Sequence, residues 1–312
     1  MFTDLNNKLK EVKERCRKQK KWKEHLQRAN NLFTEEQKKK RDLQSLLEKE
    51  KQDVERLESF SLANIFYSIT GKKLEKLEEE KREVLTAKLK YQESVTTLKD
   101  LEKEIKEYQQ LLLTVKGSTE EYNQILSEKE TLIKDDSTIW TQELYELLEE
   151  EAEMESMVKE YHEAVSAGRS AFNSLKVAIG SLDKAKNWST FDMFGGGMIT
   201  TAIKHSHLDE ARDHIHKVQS QLRHFQEELL DIKNHFHVNL EIGNMLSFAD
   251  YFFNSLIVDW MVHGKISDAL NQALKMKENV SSMLFRLERD LSELEENLET
   301  VIKRRFDLLE NA

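Results

Sequence analysis

Proline is absent from all 312 residues of this chain, and glycine occurs only nine times. Average usage would supply about fifteen prolines in a chain of this length. Proline fixes φ and removes a helical hydrogen-bond donor, so its absence permits helices far longer than the globular mean. We therefore expect helices that run for many turns without a break.

Cysteine and long apolar runs are equally scarce. Cys16 is the only cysteine, so the chain cannot form an internal disulfide. The longest uncharged apolar run, 193–203, contains three glycines and falls well short of the ~20 residues that span a bilayer. The first residues contain no apolar core of the signal-peptide type. These features predict a protein of the reducing cytoplasm, without membrane contact.

Charge is abundant and unevenly distributed. Charged residues make up 34% of the chain, the mean hydropathy is −0.68 and the net charge is −10, which argues against non-specific nucleic-acid binding. Residues 1–50 carry fifteen Lys and Arg against nine Asp and Glu, whereas residues 141–160 carry eight Glu and one Lys. We expect these two segments to lie beside each other in a bundle. A basic arm for phosphate or lipid headgroups is the alternative.

Two stripes of apolar residues repeat at coiled-coil spacing. Such heptads need a facing helix, which supplies the holes for their side chains. The C-terminal stripe is the stricter one and comprises Val280, Leu284, Leu287, Leu291, Leu294, Leu298 and Val301; the other comprises Leu77, Val84, Tyr91, Leu98, Ile105 and Leu112. The stripes predict an all-α fold, an elongated helical bundle built from long antiparallel coiled-coil hairpins.

Several local signals predict where these helices end. Capping-box patterns start at Thr34 and at Ser118, and the first follows a helix expected from Asp4 to Asn30. We therefore expect hairpin turns at 31–34, 59–71, 117–118 and 187–197. Small residues replace bulky ones between Ala164 and Gly180, so the closest helix packing is expected there.

Aromatic residues collect in the second half of the chain. The predicted units are an N-terminal arm (1–58), an apolar turn (59–71), long hairpin arms (72–186), an apolar glycine-containing turn with a helical head (187–265) and a C-terminal heptad helix (266–312). Polar arms cannot bury the aromatic side chains of the fourth unit, so this head is expected to be more apolar. Its predicted packing or interaction residues are Trp188, Phe191, Phe194, Phe252 and Trp260.

Seven of the ten histidines lie between residues 205 and 237. His207, Glu210 and His214 are spaced to share one helical face, and zinc binds both imidazole and carboxylate ligands. They are the candidate metal ligands. Solvated or hydrogen-bonded helix histidines are the alternative, because no defined metal signature such as His-Glu-x-x-His is present.

No residue pattern indicates catalysis. The chain contains no strained nucleophile turn, and no Glu-x-x-His pair occurs on two separate helices. We expect a non-enzymatic coiled-coil protein without a cofactor, a structural or adaptor molecule that presents its head to an unidentified protein partner. Homo-oligomerisation through the C-terminal seam, where Leu287, Leu291, Leu294 and Leu298 form one stripe, is also open. We favour packing of that seam within the molecule.

A different class is suggested by the order of the parts. Long helices and one glycine-rich apolar turn after the midpoint of about 300 residues resemble, in layout only, the cytolysin-type α-helical pore formers. That resemblance implies a membrane-active protein. The turn contains Asp192 and no motif matches residue by residue, so this stays an alternative, beside a metal-binding bundle that uses the histidine cluster.

Overall fold

A computed structural model describes residues 2–63, 71–133, 139–192, 201–236 and 266–311, and nearly all of them are helical. The helices are α1 (Phe2–Ala63), α2 (Gly71–Thr114), α3 (Ser118–Ile133), α4 (Ile139–Asp192), α5 (Thr201–Phe236) and α6 (Ile266–Asn311). At 1.5 Å per residue, the 62 residues of α1 extend over about 93 Å. The predicted all-α bundle of long helices is confirmed.

The first helix is continuous where the sequence predicted a turn. α1 passes through Asn30 and Thr34 without interruption, so the predicted helix end at Asn30 and the turn at 31–34 are wrong. The Thr34 hydroxyl donates to the carbonyl oxygen of Asn30, at 2.9 Å, as threonine does inside a helix. A capping box caps a helix only where the preceding residues are not helical, and no glycine or proline interrupts the helix before Thr34.

The break between α2 and α3 is confirmed as a stop and restart, but the chain does not reverse there. Gly117 has a φ of 81°, and Val115 N donates to Leu112 O in the tightened last turn. Both helices run antiparallel to α1: Ser94 of α2 bonds to Glu36, and Glu121 of α3 pairs with Arg15. The predicted hairpin at 117–118 is therefore wrong, because α2 and α3 in succession cover the length of α1.

The other half of the fold is centred on α4, which packs closely against both α5 and α6. A Cβ atom placed at Gly168 would lie 2.7 Å from Leu284 Cδ2 of α6 and 2.8 Å from Phe225 Cε2 of α5. The expected close approach of helices is confirmed at this residue. Gly180, at the end of the same small-residue stretch, is exposed and has no atom within 4 Å of such a Cβ.

The boundaries of α4, α5 and α6 refine the prediction of an apolar turn at 187–203. α4 continues to Asp192 and α5 begins at Thr201, so both ends of the predicted turn, residues 187–192 and 201–203, are helical. The C-terminal helix predicted from residue 266 is confirmed as α6. Trp188 and Phe191 belong to α4, although their side chains lie outside the described residues. Three further predicted head residues also lie outside them: Phe194, Phe252 and Trp260.

The strict C-terminal seam faces α4. Leu287 and Leu291 are buried in the main apolar core, and Leu294 packs against that core while half-buried. Leu298 is half-buried further along the same helix. Further along the helix Val301 is buried, and Arg305 pairs with Glu151 of α4 at 2.6 Å. The seam is thus covered within the same chain as far as Arg305.

Candidate functional site

Two groups of helices meet at an interface rich in charge. We call α1, α2 and α3 the paired arm, and α4, α5 and α6 the three-helix bundle. The bundle contains the larger apolar core, to which the arm contributes Leu89, while a smaller cluster formed by Leu9, Val12 and Ile125 joins α1 to α3. Ion pairs and hydrogen bonds link the arm to the bundle. This polar interface is the candidate functional site.

Its outer part consists of ion pairs between α1 and α4. Lys10 lies 2.6 Å from Glu155, while Lys13 pairs with Glu149 and Glu14 with Lys159. The basic N-terminal segment therefore lies against the acidic segment at 141–160, as the charge distribution predicted. Most of these side chains are half-buried at the edge of the interface and still reach solvent, so each pair contributes at most about 1 kcal/mol. Their collective effect is to align the two helices.

The centre of the interface is the ammonium group of Lys21, which is almost completely buried. Its Nζ atom lies close to four carboxylates, 2.7 Å from Glu160, 2.5 Å from Glu163, 3.0 Å from Glu228 and 3.4 Å from Asp231. Burial by itself lowers the pKa of Lys21, but the four negative charges outweigh it and hold the pKa above its ordinary value. Lys21 is therefore a permanent cation that joins α1 to α4 and α5.

Two more basic side chains of α1 continue this centre along α5. His25 Nε2 lies 2.6 Å from Asp231 Oδ2, and Arg28 reaches Glu227 at 2.5 Å and Asp231 at 3.3 Å. Burial by itself raises the pKa of Asp231, but the hydrogen bond from His25 and the charges of Lys21 and Arg28 outweigh it, and the net pKa lies below its ordinary value. This fully buried carboxyl group therefore remains ionised. Because an ionised carboxylate only accepts, the ring nitrogen of His25 donates.

A second charged contact joins α2 to α5. His216 lies between two carboxylates of α2, with Nδ1 2.7 Å from Glu93 and Nε2 2.9 Å from Asp100. Arg223, two turns later on α5, pairs with Glu104 at 2.6 Å. Burial lowers the pKa of His216, but the hydrogen bonds and charges of both carboxylates raise it above its ordinary value. Both ring nitrogens can donate only when the imidazole is protonated.

This chemistry is suited to holding helices together. A nucleophilic or Schiff-base lysine needs a lowered pKa, whereas the pKa of Lys21 is raised. Burial also raises the pKa of Tyr108, whose ring lies edge-on to His25 at 5.1 Å, so its hydroxyl stays neutral. A cleft of about 420 Å³ adjoins Lys21 and another of about 380 Å³ adjoins His25, and charged side chains line both.

Candidate metal ligands among the described side chains are carboxylates only. Glu160, Glu163 and Glu228 converge within 4.8 Å, but the ammonium group of Lys21 already provides a cation there. The other such group consists of Glu50, Glu80 and Glu83, between α1 and α2.

The predicted zinc site is described at only one of its three residues. His214 Nδ1 lies 2.9 Å from the hydroxyl oxygen of Ser181. The side chains of His207 and Glu210 lie outside the described residues. The metal site therefore stays a prediction.

Sequence reasoning missed the centre of the interface, although a signal for it exists. Lys21, His25 and Arg28 recur at i, i+4 and i+7, which places three basic groups on one face of α1. The acids Glu227, Glu228 and Asp231 lie at i, i+1 and i+4 on α5, within one turn of the helix. These complementary stripes would have predicted a contact between α1 and α5.

No family model, curated protein or solved structure matches this chain. Among the described helices, none combines the length and apolar character required to cross a bilayer. The class of this protein is thus defined by its own geometry: an all-α bundle of long helices whose two halves are joined mainly through charge.

Proposed function

We propose that this chain is a non-enzymatic, cytoplasmic coiled-coil protein, a scaffold or adaptor that presents a helical head for protein–protein interaction. The observation that carries the proposal is the pairing of buried charge. Lys21 and Asp231 are each satisfied by partners on other helices, at distances of 2.5–3.4 Å. Charges committed in this way fix the relative positions of helices and are not free to act on a substrate.

The dimensions of the molecule support the same function. α1 is about 93 Å long, and α2 and α3 in succession pack along it, so the paired arm can hold two ends of the molecule far apart. α4 and α6 are helices of 54 and 46 residues that pack along each other. Long paired helices of this kind act as spacers. In this proposal the segment 187–265 is the partner-binding head, with Phe252 and Trp260 as anchors.

Affinity purification of the full chain with quantitative mass spectrometry tests this function. A genuine partner should co-purify with the wild type and be lost from the head variants Phe252→Ala and Trp260→Ala, with unchanged far-UV circular dichroism. Leu113→Ala is the matched control, because Leu113 is exposed at the end of α2. Retention of every enriched protein by the head variants, or flotation of the wild type with liposomes, would contradict the proposal. Sedimentation equilibrium on the same samples tests whether a second copy is the partner.

A further inference from the structure

The contact between α2 and α5 contains an imidazole held between two carboxylates, whereas His25 of α1 meets a single carboxylate, Asp231, through Nε2. Lys21, Arg28 and Arg223 carry guanidinium or ammonium groups that stay charged at physiological pH. His216 carries an imidazole, the only side chain that ordinarily changes charge between pH 5 and 8. It stands between Glu93 and Asp100, so its charge decides whether the two helices attract at this point.

We propose that His216 is a proton-dependent latch: when protonated it clamps α2 to α5, and when it loses its proton this part of the paired arm separates from the three-helix bundle. The geometry requires two donors, since Nδ1 and Nε2 both face carboxylate oxygens within 2.9 Å. A neutral imidazole has one N–H group, so one ring lone pair would face a carboxylate. The proposal is independent of the proposed function.

The surroundings of His216 leave the imidazole as the group that titrates this contact. From α2 it is faced by Glu93 and Asp100. Its neighbours on α5, at i−3 and i+1, are the exposed residues Asp213 and Lys217. At the same level α4 contributes Ser181, bonded to His214, and α1 contributes Glu36, which pairs with Lys39 and accepts a hydrogen bond from Ser94 at its carbonyl oxygen.

The direction of the effect follows from linkage. The pKa of His216 in the folded protein lies above its ordinary value of 6.5. The stabilisation is therefore complete below pH 6.5 and is lost as the pH rises through the folded-state pKa. Leu89, which lies one turn before Glu93 on α2, is buried in the core cluster of the bundle. Release of the latch would expose this side chain, while Lys21 keeps α1 attached.

Distances between spin labels on α2 and α4 test the latch directly. Lys99→Cys and Lys176→Cys, both at exposed positions, are labelled in a Cys16→Ser background and measured by double electron–electron resonance at pH 6 and pH 9. The wild type should give one narrow distance at pH 6 and an additional longer distance at pH 9. His216→Lys, a permanent cation, should keep the short distance at both pH values, and His216→Gln should show the longer distance at both.

His162→Gln is the matched control, because His162 pairs with Glu295 within the bundle and does not touch the arm. It should retain the pH response of the wild type. Identical distances at pH 6 and 9 in the wild type would overturn the proposal, as would a His216→Lys variant that opens at pH 9. Should His216→Gln fail to fold by circular dichroism, His216→Lys and the wild type still decide the question.

Discussion

The close approach of α4 to α5 and α6 gives a quantitative prediction at Gly168. Alanine stabilises a helix interior by about 1 kcal/mol relative to glycine, so replacement of either helical glycine of α4 has the same intrinsic benefit. At Gly168 the new methyl group would lie 2.7 Å from Leu284 Cδ2, 2.8 Å from Phe225 Cε2 and 2.9 Å from Phe225 Cζ. Overpacking of this kind costs about 1–3 kcal/mol. At Gly180 the methyl group would meet no atom within 4 Å.

We therefore expect Gly180→Ala to stabilise the protein by up to about 1 kcal/mol and Gly168→Ala to destabilise it by up to about 2 kcal/mol. Urea denaturation followed by circular dichroism measures both, with the midpoint moving while the slope stays constant. Phe225→Leu removes the ring atoms that clash with the new methyl group. It should therefore destabilise the protein less in the Gly168→Ala background than in the wild type. Equal stability of the two alanine variants would refute the reasoning that α4, α5 and α6 pack this closely.

Three other substitutions test the polar and apolar contacts. Lys21→Met removes the buried cation that four carboxylates share and should lower the free energy of unfolding by about 3–5 kcal/mol in urea titrations. The half-buried pair lost in Lys159→Met is worth at most about 1 kcal/mol, so similar losses for the two variants would contradict a buried centre. Glu50→Leu replaces a buried acid that lies beside Glu80 and Glu83, and it should raise the thermal midpoint because it removes repulsion among three carboxylates. The exposed control Glu48→Leu should leave the midpoint nearly unchanged, and a lower midpoint for Glu50→Leu would count against this repulsion. Leu294→Asp puts a charge beside the main core and should reduce stability equally at all protein concentrations. If sedimentation equilibrium instead shows that the wild type is a dimer and the variant a folded monomer, the seam is an interface between chains.

Helix identity and most helix limits followed from local chemistry. The stop at Gly117 and the restart at Ser118 were predictable because glycine adopts a positive φ and serine begins a helix readily. The same logic failed at Thr34, whose Thr-x-x-Gln pattern resembles the capping box at Ser118 but is not preceded by a glycine. There α1 continues without a break and packs against α2.

The sequence by itself determined that this protein is all-α, because heptad stripes and the absence of proline leave long helices as the structure that buries its apolar residues. It also indicated that the basic and acidic segments would pair. The tertiary structure decided which helices are neighbours, and hence that Lys21 lies among carboxylates from α4 and α5 and that His216 lies between Glu93 and Asp100. These contacts join residues more than 100 positions apart, and helical periodicity places a side chain on a face without specifying the helix opposite.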